Sequence, residues 1–309
     1  MKIAVLGAGS LGSAIGGAFA QAGHEVHLVG RPSHMEAVNT NGLTMVTPHG
    51  EEQVSVYGHT SADTVGVVDL VLVLCKTFDT VQVMEEGKST IGDGTMVLSL
   101  QNGLGIEDVL CGIVGKEHVI AGKTYIGGML LEPGRVQATI PLKDTLIGEL
   151  DGTLSERVTT LGAAFEEAGM HCIVSENIMG VIWDKLLVNV ATGAVCGITH
   201  LPYGDLYQEE KLIATAIAAV QEGMEVARAA GIKLTTEDPH DVLEVARRGL
   251  SYDFKPSILQ SLEKHRPTEI DVINGSIVAQ GSLHGVPTPV NETLVACVKG
   301  IERYIREYL

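Results

Sequence analysis

Along the first 170 residues, short runs of β-branched and other apolar residues alternate with longer stretches whose apolar positions recur every three or four residues. The runs 2–6, 25–29, 70–74 and 96–100 are compact and almost wholly apolar, the pattern of strands covered on both faces. Between the first two, Leu11, Ile15 and Phe19 recur at helical spacing over 10–22, and Gly23 stands where a helix stop belongs. A strand, helix and strand in that order predict a βαβ unit and hence a parallel sheet. After Cys172 the texture changes: 177–199 is apolar nearly all round, 209–230 is alanine-rich and amphipathic, 289–308 has a helical period, and Asp238-Pro239 leads into a short helix over 241–248. The expected fold class is α/β, with a parallel-sheet domain over residues 1–170 followed by an all-α domain over 171–309.

Composition narrows the function. The chain has 309 residues, 45% of them apolar, enough for two domains that each bury a core. Lys and Arg number 21 against 38 Asp and Glu, a formal charge of -17 that repels phosphate backbones and anionic membranes, so neither nucleic acid nor membrane is an expected partner. The five cysteines are scattered and never spaced as CxxC, which suits buried thiols in a reducing compartment. The uncharged stretches 186–204 and 272–291 are broken by Asn, Gln, His and Pro, and a strand-like run begins at Lys2, leaving no room for a leader; a cytoplasmic protein is expected. The 11 histidines show no metal-ligand spacing, so no metal is expected. Enzymes of this size are often homo-oligomers, and a dimer is the expected assembly.

The strongest local signal is Gly7-Ala8-Gly9-Ser10-Leu11-Gly12, which follows the first strand and opens the first helix. Such a turn presents backbone N–H groups at a helix start, a cradle for a pyrophosphate, and identifies the sheet as Rossmann-type. An acidic residue after the second strand would favour NAD; here Gly30-Arg31-Pro32-Ser33 offers a guanidinium suited to the 2′-phosphate of NADP. The third run ends in Lys76 and the fourth in Gln101-Asn102-Gly103-Leu104-Gly105, polar residues at strand ends where α/β sheets bind ligands. Lys76 is expected beside the cofactor phosphates or ribose and Asn102 beside the nicotinamide.

In Trp183-Asp184-Lys185-Leu186-Leu187-Val188-Asn189, Lys185 and Asn189 share one face of an otherwise apolar helix. A sunken amine needs a partner or a cleft, and burial tunes it toward proton transfer; a structural ion pair is the alternative. Downstream, Pro267-Thr268-Glu269 is read as a helix start with Glu269 in its first turn, and Pro256-Ser257 places a hydroxyl at another helix mouth.

Taken together, GAGSLG at 7–12, Lys76, QNGLG at 101–105, WDKLLVN at 183–189, PSILQ at 256–260 and PTEIDVING at 267–275 resemble the ketopantoate reductase family over almost the whole chain. The resemblance implies NADPH-dependent reduction of 2-dehydropantoate to pantoate in pantothenate and coenzyme A biosynthesis. Lys185 falls at the family's proton donor, and Asn102 at its contact with nicotinamide and substrate. Asn189 and Ser257 match substrate contacts, Glu269 an active-site carboxylate near cofactor and substrate, Arg31 and Lys76 NADP contacts, and Gly128 a backbone contact with the cofactor. The chain departs from the family at Gly193, where members often carry asparagine, and at Tyr203, where they sometimes do. Those departures leave open a reductase of another branched or hydroxylated 2-oxo acid; a protein that senses NADP without chemistry is the third reading.

Overall fold

The four apolar runs lie side by side in one sheet, because each has an apolar layer to meet on both of its faces. In this computed structural model, which describes residues 1–140, 143–248 and 251–309, the chain divides into two compact units: Met1–Gln101 with Ile106–Ile178, and Asn102–Gly105 with Met179–Leu309.

The first unit opens with β1 (Lys2–Leu6), α1 (Ser10–Gln21), β2 (Glu25–Val29), α2 (Pro32–Asn41), β3 (Leu43–Thr47), β4 (Gly50–Val54) and β5 (Tyr57–His59). It continues through β6 (Leu70–Val73), α3 (Thr80–Glu86), β7 (Met96–Ser99), α4 (Ile106–Val114), β8 (Val119–Thr124), β9 (Gly128–Glu132), β10 (Arg135–Ala138), β11 (Thr145–Gly148), α5 (Glu156–Glu167) and β12 (Cys172–Val174). The main sheet has the order β12-β11-β8-β7-β6-β1-β2-β5. Every neighbouring pair is parallel except β8 with β11. Along β1, Ile3 and Val5 enter one apolar layer, with Ile15, Phe19 and Phe165 of α1 and α5, while Ala4 and Leu6 enter another, with Met84 and Leu110 of α3 and α4. This two-sided burial is why the central strands lack polar alternation. A second sheet, β4-β3-β10-β9, was not expected; its strands are half exposed and its β9–β10 hairpin turns at Pro133-Gly134.

His34 ties the second sheet to the helices beneath it. The Gly134 N–H donates to Nδ1 at 2.8 Å, so that nitrogen carries no proton, and Nε2–H donates to Ser13 Oγ at 2.8 Å.

The second unit is helical: α6 (Ile178–Thr199), α7 (Tyr203–Leu206), α8 (Glu210–Ala229), α9 (Pro239–Arg247), α10 (Ser257–Glu263), α11 (Asn274–His284) and α12 (Pro289–Tyr308). The fold class is thus the expected α/β arrangement followed by helices. Although α6 is long and apolar enough to cross a membrane, 67% of its most apolar window is buried within the protein, as in a core helix. Leu187 and Ala191 of α6 pack with Ala216, Val220 and Met224 of α8 and Val242 and Leu243 of α9. Glu222 of α8 caps α12, accepting from the N–H groups of Val290 and Asn291 at 2.8 and 3.0 Å and from Asn291 Nδ2 at 2.7 Å. Asn291 Oδ1 in turn accepts from Asn274 Nδ2 at 3.0 Å, joining α11 to this buried chain of polar groups. One boundary differs from expectation: the helix read as starting near Glu269 begins at Asn274, after a 3-10 turn over Ile270–Val272. Ile273, with φ -102° and ψ -95°, breaks the two apart.

Burial lowers the His34 pKa below the ordinary 6.5, so the folded protein holds the ring neutral while the unfolded chain takes up a proton first on acidification. Stability is therefore complete above about pH 6.5 and falls as the pH drops toward the lowered value. Thermal melts across that window should show the decline in the wild type and a shallower one in His34→Gln, which cannot protonate.

Candidate active site

Backbone geometry at the end of β1 sets the first half of the site. The N–H groups of Gly7 and Ala8 both donate to the Val29 carbonyl, at 3.1 and 2.9 Å, so the glycine turn begins against the exit of β2. Gly7 has φ +98°, and a Cβ there would lie 2.3 Å from the Cys75 amide nitrogen. Only glycine lets the turn pass the exit of β6. At Gly9 a Cβ would meet nothing within 4 Å, which leaves the approach to the start of α1 open for a ligand. The first turn of a helix lacks intrahelical acceptors for its N–H groups, so Ser10, Leu11 and Gly12 present an anion-binding end. On its other side, a Cβ at Gly128 would fall 2.4 Å from the Ser10 carbonyl oxygen, and the Leu130 N–H donates to Ser10 Oγ at 3.1 Å. The start of β9 therefore lies on the glycine turn.

Arg31 and Lys76 occupy equivalent places in the sheet. Arg31 is exposed at the N-cap of α2, one residue beyond Gly30, whose N–H donates to the His59 carbonyl at 3.0 Å. Lys76 is exposed at the exit of β6, the N-cap of a 3-10 turn over Thr77–Asp79. The turn at 7–12, Arg31, Lys76 and Gly128 all belong to the first unit, and Asn102, Lys185, Asn189, Ser257 and Glu269 to the second.

Asn102 follows a sheet strand, as expected, and its tetrapeptide 102–105 packs with the helical unit. The Leu104 N–H donates to the Val272 carbonyl at 3.2 Å. Gly103 has φ +101°, and a Cβ there would come within 2.6 Å of the Val272 carbonyl oxygen. The loop carrying Asn102 is thereby fastened to the turn that follows Glu269, bringing two of the expected site segments together. Glu269 is half-buried at the N-cap of that 3-10 turn.

Lys185 and Asn189 are both half-buried on one face of α6, flanked by the buried Ile182, Leu186 and Val190. One turn further, the Gly193 position is closed: a Cβ there would lie 3.1 Å from Ile258 Cδ1, and one at Gly197 only 2.7 Å from Ile258 Cγ2. Ile258 of α10 sits in the notch these two glycines leave, and its neighbour Ser257 is the exposed first residue of that helix, with Pro256 as its N-cap. Tyr203 is 6% exposed. Its hydroxyl is 2.7 Å from Thr192 Oγ1, whose own proton goes to the Val188 carbonyl at 3.2 Å, so the tyrosine donates. Burial pushes the Tyr203 pKa up to about 12.

Some supporting residues carry no sequence signature of their own. Glu302 on α12 accepts from both the N–H and the Oγ1 of Thr268, each at 2.7 Å, gripping the residue before Glu269. Gln101, noted only as part of its motif, joins the exits of β6 and β7 through its side chain. Either role depends on partners 21 or more residues away, which no local pattern reports. Glu107, in the first turn of α4, is 5% exposed, and its Oε2 has no hydrogen-bond partner. Among the described residues, no group of three or more His, Cys, Asp and Glu side chains could hold a metal ion.

Residues 3–152 match the family profile described as ketopantoate reductase PanE/ApbA, and residues 177–302 match its C-terminal counterpart. The chain is 34% identical to a 2-dehydropantoate 2-reductase of Pyrococcus horikoshii, over 98% of each chain. It is also similar to the crystal structure of a PanE/ApbA family ketopantoate reductase from Ralstonia eutropha, with a TM-score of 0.90 and 34% identity, covering 99% of this chain and 100% of that one. A D-mandelate dehydrogenase solved with NADH and anilino(oxo)acetate gives the same TM-score of 0.90 at 28% identity, over 99% of this chain and 100% of that chain.

Burial raises the Glu107 pKa from 4.5 to about 7, against the pull of its own backbone N–H. The folded state thus favours the protonated acid, so this contribution is complete below about pH 4.5 and disappears as the pH rises through about 7. The difference corresponds to ~3 kcal/mol. Glu107→Gln, which stays neutral, should melt higher than the wild type at alkaline pH and by a smaller margin at acidic pH.

Proposed function

The chain belongs to the ketopantoate reductase PanE/ApbA family and is an oxidoreductase acting on a CH–OH group, and from that premise we propose that it reduces 2-dehydropantoate to pantoate with NADPH. The observation that carries the reading is Lys185, held half-buried on an apolar helix beside Asn189. The same reading makes residues 1–170 the NADP-binding domain, residues 171–309 the substrate domain, and the protein a cytoplasmic homo-oligomer.

The residues present fit a dinucleotide: the open approach at Gly9 and the amide end of α1 suit a pyrophosphate, and exposed Arg31 and Lys76 suit further phosphates. When bound, the reduced nicotinamide supplies a hydride to the carbonyl carbon. Lys185 gives a proton to the carbonyl oxygen as the C–O π bond opens, so full negative charge never rests there, and solvent later restores the ammonium. Asn102 orients the carbonyl, Ser257 holds the carboxylate, and Asn189 with Glu269 holds the polar remainder. These side chains meet the substrate directly, while Glu302 steadies Glu269 through Thr268.

A second reading has its own support. With Gly193 covered by Ile258 and the Tyr203 hydroxyl satisfied by Thr192, neither position offers a polar group to a substrate hydroxyl. That favours a 2-oxo acid with an apolar side chain over a hydroxylated one, and the D-mandelate dehydrogenase likeness points the same way. Initial rates with 2-dehydropantoate and with apolar branched or aromatic 2-oxo acids separate the two readings; a clear preference for an apolar acid selects the second.

Lys185→Ala should lower kcat by about 100-fold or more, the range for a lost general acid, while NADPH affinity stays within about threefold of wild type. Unchanged turnover would overturn the assignment. Arg31→Ala should weaken NADPH by about tenfold and leave NADH affinity nearly unchanged, because a charge-assisted contact to phosphate is lost only with the phosphorylated cofactor. Equal losses for both cofactors would remove Arg31 from the 2′-phosphate site.

A further inference from the structure

The strands β6 and β7 end side by side at the pair Val73 and Ser99, three residues before Lys76 and Asn102 respectively. What joins them there is the carboxamide of Gln101. Its Nε2 donates to the Cys75 carbonyl at 2.8 Å and to Thr80 Oγ1 at 2.9 Å, and its Oε1 accepts from Ser99 Oγ at 3.0 Å. The Gln101 N–H donates back to the same serine oxygen at 3.2 Å. Thr80 and Ser99 are buried and Gln101 is half-buried, so these bonds are partly shielded from water.

The carbonyl that Gln101 holds belongs to the residue whose N and Cα confront Gly7 and whose successor is Lys76. A displacement of Cys75 therefore reaches the phosphate turn on one side and the lysine on the other. Within the sheet unit, Gln101 is also the last residue before Asn102.

We infer that Gln101 is a positioning residue for the dinucleotide: its amide fixes the exit of β6 against the glycine turn and so sets the geometry of the phosphate cradle. The inference rests on the cofactor reading given above. Its chemical requirement is narrow. The side chain must donate to a carbonyl and accept from a hydroxyl at once, which a neutral carboxamide does and a carboxylate, acceptor-only, does not. Methionine matches the length and offers neither.

Gln101→Glu tests this, because a carboxylate would face the Cys75 carbonyl oxygen, whereas the protonated acid can donate to it. NADPH dissociation constants by cofactor fluorescence, each as a ratio to wild type at the same pH, should rise about tenfold or more at about pH 8 and by a smaller factor at about pH 5, nearer the range in which a glutamate takes up its proton. Gln101→Met should lose affinity at both pH values, and with saturating NADPH kcat should fall less than KM for NADPH rises. Melting temperatures are read in parallel. A merely structural role would lower them while leaving NADPH affinity within about twofold of wild type at both pH values, and that result overturns the inference. Should Gln101→Glu fail to fold, Ser99→Ala, which removes one bond to Oε1, is expected to weaken NADPH by about threefold, and unchanged affinity there overturns it equally. A wild-type protein that binds no NADPH would instead defeat the cofactor reading itself.

Discussion

A Cβ at Gly7 would lie 2.3 Å from the Cys75 amide nitrogen, and the edge of the sheet where the strands exit is built on the absence of that atom. Two backbone segments from neighbouring parallel strands share the space a side chain would take. The turn can then swing directly into α1, so that the amide end of the helix stands over the exits of β1, β2 and β6. A constraint of the same kind recurs at Gly103, where the Val272 carbonyl oxygen fills the corresponding position. Both contacts are backbone against backbone, which no rotamer change can relieve.

Around these fixed points the polar groups divide by task. In the sheet unit, the strand exits carry Arg31 and Lys76, cationic residues in a chain whose formal charge is -17. In the helical unit, positions are set from behind: Glu302 grips Thr268, Lys299 reaches Asp271 at 2.6 Å and Glu302 at 3.3 Å, and Glu222 binds the start of α12. The turn bearing Glu269 is therefore pinned on both flanks by the C-terminal helix. Ile258 in the Gly193 and Gly197 notch does the same for Ser257 by packing alone.

The central strands, α1, α6, α8 and α12 were legible because each announces itself within a dozen or so residues, by an unbroken apolar run or a helical period. The glycine turn was legible for the same reason. The second sheet was not: β4 reads GEEQV and is mostly exposed, and β3 has its partners at residues 50–54 and 135–137. At Glu269, a proline and a hydroxyl residue imitated a helix start, but the backbone break at Ile273 delays the helix to Asn274. Asn102 follows the apolar run 96–100, but the packing of its neighbours Gly103 and Leu104 with Val272, some 168 residues further on, leaves no trace in the local pattern. Candidate residues could be named from their surroundings, whereas the residues that hold them, Gln101, Ile258 and Glu302, could not.

The tetrapeptide Asn102–Gly105 has a consequence for protein engineering. It is encoded in the middle of the sheet unit yet packs as part of the helical one, so the polypeptide passes between the two at three points rather than one. A chimera made by a single crossover near residue 178 would graft a foreign Val272 onto the native Gly103. Recombination between relatives should therefore carry residues 102–105 together with the C-terminal half.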